Sequence, residues 1–200
     1  MELDGFRLHP AALDAATQAD LLNEVWAAAD AAPFYRAVTP GGKSMSVLTT
    51  SFGPLGWVSD RGGYRYQEAH PETGQPWPAM PSLLLELWRR YATDQVAPDS
   101  CLINLYRDGA RMGLHQDRDE ADFSVPVLSI SLGDTALFRI GGVQRNDPTR
   151  SLRLSSGDIC VLAGNARRAH HGVDRTIASS SRLIPEGGRI NLTLRRARSC

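Results

Sequence analysis

The stretch CLINLYRDGARMGLHQDRDE, residues 101–120, decides the fold. Apolar and polar residues alternate in both halves, which predicts strands over 101–106 and 111–116 with a turn between them. Because successive side chains of a strand point to opposite faces, His115 and Asp117 share one face. This spacing is typical of a pair of metal ligands.

Outward from this stretch, the C-terminal half is a series of short segments divided by Gly, Asp and Asn turns. Besides the two strands above, the pattern predicts strands over 126–132, 135–140, 151–154, 158–163, 169–173 and 189–195. Short strands at such spacing predict a β-sandwich or a closed jelly roll.

The N-terminal half has a different character. Apolar residues at helical spacing predict a helix from Asp14 to about Ala32, and Pro81 opens a second helix that ends near Asp94. Residues 37–81 are rich in Gly, Pro and aromatics, with extended pieces at 45–50 and 64–67. We expect one integrated domain with three parts: a helical extension over 1–40, an insert over 41–81, and a supporting helix with the jelly-roll core over 82–200.

Composition restricts the class of protein. With 200 residues, 42% of them hydrophobic, the chain can bury a core, which excludes a disordered tail. Its apolar runs are far shorter than the roughly 20 residues that cross a bilayer, and its start does not resemble a signal peptide, so we expect a cytoplasmic protein with no membrane contact. Cys101, Cys160 and Cys200 lack CxxC spacing and are expected to be reduced, mostly buried thiols.

A third metal ligand is expected from HHG, residues 170–172. Adjacent residues of a strand face opposite sides, so one histidine at most can join His115 and Asp117, and we choose His171 because Gly172 permits a close approach. Two histidines and one carboxylate leave open positions on a metal, as in non-haem Fe(II) oxygenases. The turn-like contexts of His9 and His70 predict surface histidines.

The strand RINLTLR, residues 189–195, has one polar and one apolar face. The polar face carries Arg189, Asn191, Thr193 and Arg195. A buried arginine requires an anionic partner, and arginine grips a carboxylate through two hydrogen bonds. The same alternation places Asn104 and Tyr106 together, so these residues predict a pocket for a dicarboxylate beside the metal.

Seven ordered segments resemble the bacterial AlkB nucleic-acid dealkylases, a family of Fe(II)- and 2-oxoglutarate-dependent dioxygenases. The resemblance spans residues 45–197 and is carried by PWPAMP (76–81), residues 101–120, SISLGDTALFRIGG (129–142), RNDP (145–148), LSSGDICVLAGNAR (154–167), HHGV (170–173) and RINLTLR.

This resemblance implies a double-stranded β-helix that binds Fe(II), 2-oxoglutarate and O2, with ascorbate as the reductant in vitro. It implies that the metal ligands, which are also the catalytic residues, are His115, Asp117 and His171. The residues implied for 2-oxoglutarate are Asn104, Tyr106, Arg189, Asn191 and Arg195. Since six residues of strand span about 20 Å, we expect Arg189 to bind the distal carboxylate and Arg195 to act near the metal, partly by holding Asp117.

For the substrate, the resemblance implies that the insert is a nucleotide-recognition lid over a flipped or unpaired base. Trp57 would stack on the base, Tyr64 would contact the backbone, Asp119 would accept a hydrogen bond from an exocyclic amine, and Arg145 would lie near the base. An acceptor suits N1-methyladenine and N3-methylcytosine. Phosphate contacts are expected from Arg167, Arg168 and Arg182.

The implied activity is repair of alkylation damage by oxidative demethylation of these bases in single-stranded DNA, with RNA as a further candidate. The products would be formaldehyde, succinate and CO2, and the enzyme is expected to be a monomer. Three alternatives stay open: an oxygenase acting on tRNA, protein or a small molecule, a noncatalytic binder of methylated bases, and a cupin-type zinc protein. The dicarboxylate-binding residues weigh against the last.

Overall fold

A computed structural model describes residues 2–199. Two helices occur in this range, α1 (Ala15–Ala31) and α2 (Ser82–Tyr91). The strands are β1 (Glu2–Leu3), β2 (Phe6–His9), β3 (Leu48–Phe52), β4 (Gly56–Asp60), β5 (Gly63–Gln67), β6 (Ser100–Tyr106), β7 (Met112–His115), β8 (Val127–Gly133), β9 (Thr135–Ile140), β10 (Arg150–Leu154), β11 (Ile159–Leu162), β12 (His171–Ile177) and β13 (Arg189–Arg195). A 3-10 turn covers Gly164–Arg168.

The strands form two facing sheets of a jelly roll and one separate hairpin. The larger sheet has the order β1-β2-β11-β8-β13-β6-β3, and the smaller has the order β10-β9-β12-β7. All the pairings described are antiparallel. The expected jelly roll with flanking helices is therefore confirmed, and the hairpin β4–β5 stands apart as a two-stranded sheet.

Both faces of the larger sheet are buried. The alternation of polar and apolar side chains along its strands decides which face lines the pocket. In β13, Ile190, Leu192 and Leu194 pack with the apolar faces of α1 and α2, where Val25 and Trp88 are fully buried. The other face of the sheet looks toward the smaller sheet, across an apolar cluster that includes Phe138 and Leu162. The polar residues of β13 therefore point between the two sheets.

Helix α1 begins and ends close to the positions predicted from the sequence. Its N-cap is Asp14, whose carboxylate accepts a hydrogen bond from the Thr17 amide at 2.8 Å and so satisfies one of the free amides of the first turn. Helix α2 is shorter than predicted because Pro81 is the residue before the helix and Tyr91 is its last residue. No helix among residues 2–199 combines the length and the apolar character needed to span a bilayer.

The N-terminal extension is not wholly helical. Phe6–His9 pairs with Ile159–Leu162 and adds a strand to the larger sheet, and Phe6 is fully buried. Gly5, at φ +88°, makes this possible, because a Cβ there would lie 2.1 Å from the carbonyl oxygen of Ala163. The sequence did not predict this strand.

The insert also differs from expectation. The extended piece predicted at 45–50 is strand β3, which pairs with β6 at the edge of the larger sheet. The hairpin β4–β5 we call the lid hairpin (residues 56–67), after the role that the resemblance implies for the insert. Its Val58 packs with Tyr35 and Trp77 in a small core of its own. The sequence did not separate β4 from the surrounding Gly-rich loops.

Both cysteines within the described range are buried free thiols, as expected. Burial raises the pKa of the Cys160 thiol to about 11, so it stays protonated. The expectation for Cys200 lies outside the described residues.

Candidate active site

His115 and His171 lie directly opposite each other on the paired strands β7 and β12. Gly172 lets these strands approach, because a Cβ there would lie 2.5 Å from the Met112 carbonyl oxygen. Asp117 follows β7, with its Oδ1 3.7 Å from His115 Nε2 and its Oδ2 3.9 Å from His171 Nε2. The three ligand atoms lie within 4.8 Å of one another, as expected for residues around one ion.

In both histidines, hydrogen bonds engage Nδ1 and leave Nε2 as the nitrogen that could bind a metal. His115 Nδ1 lies 2.9 Å from the Gly113 carbonyl oxygen, and His171 Nδ1 lies 3.0 Å from that of Ala169. A carbonyl oxygen accepts only, so each Nδ1 donates its proton to that oxygen, and each Nε2 is the nitrogen that faces Asp117. Burial, together with the neighbouring His115, lowers the pKa of His171 to about 4, which keeps this ring neutral.

Asp117 is held in its charged form by Arg195. The Nε and Nη2 atoms of Arg195 donate to Asp117 Oδ2 at 3.2 and 2.9 Å. Burial alone would raise the pKa of Asp117, but Arg195 and the two histidines hold it well below its usual range. Arg195 therefore supports the metal-ligand carboxylate, in agreement with part of the role expected for it.

Arg189 lies at the opposite end of β13 and is 1% exposed. Its guanidinium donates to Ser131 Oγ at 2.8 Å and to the Leu154 carbonyl at 3.2 Å, while its Nε is buried without a partner. Burial lowers the pKa of Arg189, since no carboxylate in the described part of the chain forms an ion pair with it. A buried guanidinium that has no ion-pair partner among the described residues fits the anionic end of a ligand such as 2-oxoglutarate.

A cavity of about 330 Å³ connects the metal ligands to Arg189. All five residues expected to bind 2-oxoglutarate line it: Asn104, Tyr106, Arg189, Asn191 and Arg195. Asn191 is already engaged, because its Nδ2 donates to Ser129 Oγ at 2.7 Å and to the Ile130 carbonyl at 3.0 Å. The residues present thus fit both an Fe(II) ion and a dicarboxylate of this size.

The lid aromatics stand at the mouth of this cavity. The rings of Trp57 and Tyr64 are stacked, with centroids 5.7 Å apart and planes 17° apart, and both residues line the cavity together with Asp119. Arg145 is exposed, does not line the cavity, and donates to the Leu114 carbonyl at 3.3 Å. The structure therefore brings three of the four expected substrate residues together.

Two expectations from the sequence are wrong. Arg167 is not available to phosphate, because it is 2% exposed and donates to the Val125 and Asp117 carbonyls and to Glu120. His70 is not a surface residue, because it is 1% exposed, packs against Tyr35 and Trp77, and has its Nε2 2.8 Å from the Pro33 carbonyl oxygen. Both depend on long-range packing that local turn signals do not report. Arg168 and Arg182 are exposed.

Sequence reasoning also missed a buried polar cluster beside the metal site. Glu120 accepts hydrogen bonds from Tyr66 and Arg167, and its Oε1 is 3.3 Å from Arg195 Nε. The acidic run after the metal motif was a signal for Glu120, but nothing local in the sequence singles out Tyr66.

Comparisons with known proteins agree with this geometry. Residues 5–195 match the model of the 2OG-Fe(II) oxygenase superfamily. The chain is 64% identical over 195 residues to the alpha-ketoglutarate-dependent dioxygenase AlkB homolog of Caulobacter vibrioides, covering 98% of this chain and 89% of that protein. It is 44% identical over 190 residues to alpha-ketoglutarate-dependent dioxygenase AlkB of Escherichia coli, covering 93% and 87%.

The solved structure of OsALKBH1 superimposes with a TM-score of 0.79 at 29% identity, covering 98% of this chain and 99% of that one. The family uses Fe(II), 2-oxoglutarate and O2, for which the cavity has the residues described above. The chain is therefore an Fe(II)- and 2-oxoglutarate-dependent dioxygenase, and it belongs to the bacterial AlkB family.

Proposed function

We propose that this dioxygenase repairs alkylated nucleic acid by removing the methyl group of N1-methyladenine and N3-methylcytosine in single-stranded DNA, with RNA as a further candidate substrate. The observation that carries the proposal is the group of Trp57, Tyr64 and Asp119 at the mouth of the metal cavity. Aromatic rings offer a stacking surface for a base, worth about 1–3 kcal/mol per base, and an exposed carboxylate accepts a hydrogen bond from an exocyclic amine.

Residues at different positions along the cavity have different proposed roles. His115, Asp117 and His171 would hold Fe(II), while Arg189, Asn104 and Tyr106 would bind 2-oxoglutarate with its distal carboxylate on Arg189. Asn191 shapes the wall through its bonds to Ser129 and Ile130. Arg195 keeps Asp117 ionised and oriented.

Bound Fe(II), 2-oxoglutarate and O2 supply an oxidation in which one oxygen atom enters a methyl C–H bond, the other enters succinate, and CO2 is released. The N-hydroxymethyl group then leaves as formaldehyde: its C–N bond breaks, the electron pair stays on the ring nitrogen of the cationic base and neutralises it, and the hydroxyl proton is released to solvent. The protein contributes position: the base must leave the duplex stack, and Trp57 with Tyr64 would hold it over the metal while excluding water. Arg145, Arg168 and Arg182 are exposed candidates for contacts outside the cavity.

The proposal is tested with purified protein, Fe(II), ascorbate, 2-oxoglutarate and single-stranded oligonucleotides carrying either lesion, with products measured by mass spectrometry. We expect loss of the methyl group with matching succinate, and neither product in a His171→Ala variant. Formation of succinate without demethylation would refute the assignment of methylated single-stranded DNA as the substrate and favour an oxygenase acting on tRNA or protein. Binding of the oligonucleotide without succinate would indicate a noncatalytic methylated-base binder.

Size-exclusion chromatography with light scattering tests the proposed monomeric state. We expect the mass of one chain, 21.8 kDa, and a doubled mass would contradict it.

A further inference from the structure

We propose that Tyr66 and Glu120 are positioning residues that fix the lid hairpin over the metal site, and that Glu120 supports the lid and the metal-ligand segment at once. The expected effect on substrate affinity rests on the proposed function. The expected effects on the opening of the lid hairpin and on Fe(II) affinity can be measured without any substrate.

The lid hairpin faces the metal-ligand segment with a cross-strand pair of aromatic residues. Trp57 and Tyr66 lie opposite each other in the register of β4 and β5. Trp57 Nε1 donates to Asp119 Oδ2 at 2.7 Å, and the Tyr66 hydroxyl donates to Glu120 Oε1 at 2.5 Å. One rung of the hairpin therefore contacts two consecutive carboxylates that begin two residues after the metal ligand Asp117.

These two contacts differ in their exposure. Asp119 is exposed, so water can replace its contact with the indole. The Glu120 side chain is 2% exposed, and burial raises the pKa of Tyr66 well above its usual value, so the hydroxyl keeps the proton that it donates. A desolvated hydrogen bond to a charged group is among the stronger ones in proteins, which makes Tyr66 the fixed attachment.

The second oxygen of Glu120 belongs to the metal side. Arg167 Nη2 donates to Glu120 Oε2 at 2.9 Å, and Arg167 Nη1 donates to the backbone carbonyl of Asp117 at 3.1 Å. Arg195 bridges the same two acids, since its Nε is 3.3 Å from Glu120 Oε1 while its Nη2 bonds Asp117. Two buried cations thus balance two buried anions, and removing the charge of Glu120 leaves an unpaired positive charge beside the metal ligand.

Two conservative substitutions separate the roles. Tyr66→Phe removes the hydroxyl and keeps the ring and every charge. Glu120→Gln keeps an oxygen that can accept from Tyr66 but removes the charge that Arg167 and Arg195 require. Tyr91→Phe is the matched control, because Tyr91 lies at the end of α2, half-buried beside His9.

Amide hydrogen exchange of the lid hairpin is measured by mass spectrometry in the 200-residue protein loaded anaerobically with Fe(II) and 2-oxoglutarate. We expect exchange of residues 56–67 to be about tenfold faster in Tyr66→Phe, the effect of one charge-assisted hydrogen bond. Glu120→Gln, which keeps an acceptor for Tyr66 but removes its charge, should show a smaller increase, and Tyr91→Phe should exchange as the wild type does in this segment. An unchanged rate in Tyr66→Phe would overturn the positioning role.

Fe(II) affinity is measured by anaerobic titration of the visible absorption of the complex with 2-oxoglutarate. We expect about tenfold weaker Fe(II) binding in Glu120→Gln and binding within twofold of wild type in Tyr66→Phe. If Glu120→Gln binds Fe(II) with wild-type affinity, the proposal that Glu120 supports the metal-ligand segment as well as the lid hairpin is overturned.

If the oligonucleotide is the substrate, Tyr66→Phe also raises the KM for the oligonucleotide with little change in kcat. Absence of demethylation in wild type refutes the proposed function, while the exchange and Fe(II) results still decide this proposal.

Discussion

Trp57 Nε1 donates a hydrogen bond to Asp119 Oδ2 over 2.7 Å, so the lid tryptophan already occupies the acceptor that we assign to the base. A substrate amine that binds Asp119 therefore joins or replaces the indole N–H. A base that presents a carbonyl at this point can do neither, because two acceptors repel each other. The contact consequently favours bases that bear an exocyclic amine.

Asp119→Ala is expected to lower kcat/KM for N1-methyladenine by about ten- to hundredfold, the cost of one hydrogen bond to a charged group. For N3-methylthymine, which offers a carbonyl in place of the amine, we expect little change. Steady-state kinetics on oligonucleotides that differ only in the lesion measure both values, with Asp94→Ala, an exposed acid after α2, as the control. An equal loss for the two lesions would contradict the assigned contact.

Arg195→Met is expected to destabilise the metal-free protein by about 3–5 kcal/mol, because it leaves Asp117 with an uncompensated buried charge. Urea unfolding followed by circular dichroism measures the difference. Arg65→Met is the matched control: it breaks the Arg65–Asp60 pair, whose separation of 2.8 Å is close to the 2.9 Å of the Arg195–Asp117 pair but whose side chains are 43% and 48% exposed, and it should cost much less stability. Similar losses in the two variants would refute the importance of burial.

Arg189→Met is expected to abolish the stabilisation of the protein by 2-oxoglutarate. A ligand present at 100 times its Kd stabilises a folded protein by about 2.7 kcal/mol, so wild-type protein with Mn(II) should show a clear upward shift of Tm on addition of 2-oxoglutarate. Arg153→Met, which removes an exposed arginine of β10, should keep the shift. A normal shift in Arg189→Met would place the carboxylate elsewhere.

The stability of the metal-free protein is expected to fall as the pH drops from 6.5 toward 4. His171 has its pKa lowered to about 4 in the folded state from 6.5 when unfolded, so the unfolded chain binds more protons in this window. The stabilisation is complete above pH 6.5 and is lost as the pH falls to the folded value. His171→Gln should flatten this part of the profile of unfolding free energy against pH, and an unaltered slope would refute the cause.

Local sequence patterns predicted the individual strands of the sheet better than they predicted contacts between segments that are distant in sequence. Strand β13 was predicted over its full length, because its alternation of polar and apolar residues requires only neighbours along the chain. The grouping of His115, Asp117 and His171 followed from two short motifs for the same reason. Strand β2 was missed, because four residues carry little signal and its partner β11 is about 150 residues away.

Charged residues were the least predictable part of the site. Arg167 was expected at the surface with other arginines, yet it is buried against Glu120, and only the folded chain brings that partner 47 residues away within reach. The spacing of His115 and Asp117 predicted that the two side chains share a face, and the structure places them together with His171. The hydrogen bonds from Arg195 to Asp117 could be predicted only in part, because the position of a residue in a strand determines the face of the sheet on which it lies but not the residue that it contacts.

The strand Phe6–His9 has a practical consequence for expressing this protein. Its partner Ile159–Leu162, four buried apolar residues, would become an open sheet edge if the first ten residues were deleted. Such an edge offers unpaired backbone amides and carbonyls to the same edge of another molecule. Shortened versions that begin at α1 are therefore expected to aggregate, whereas those that retain β2 should stay dispersed.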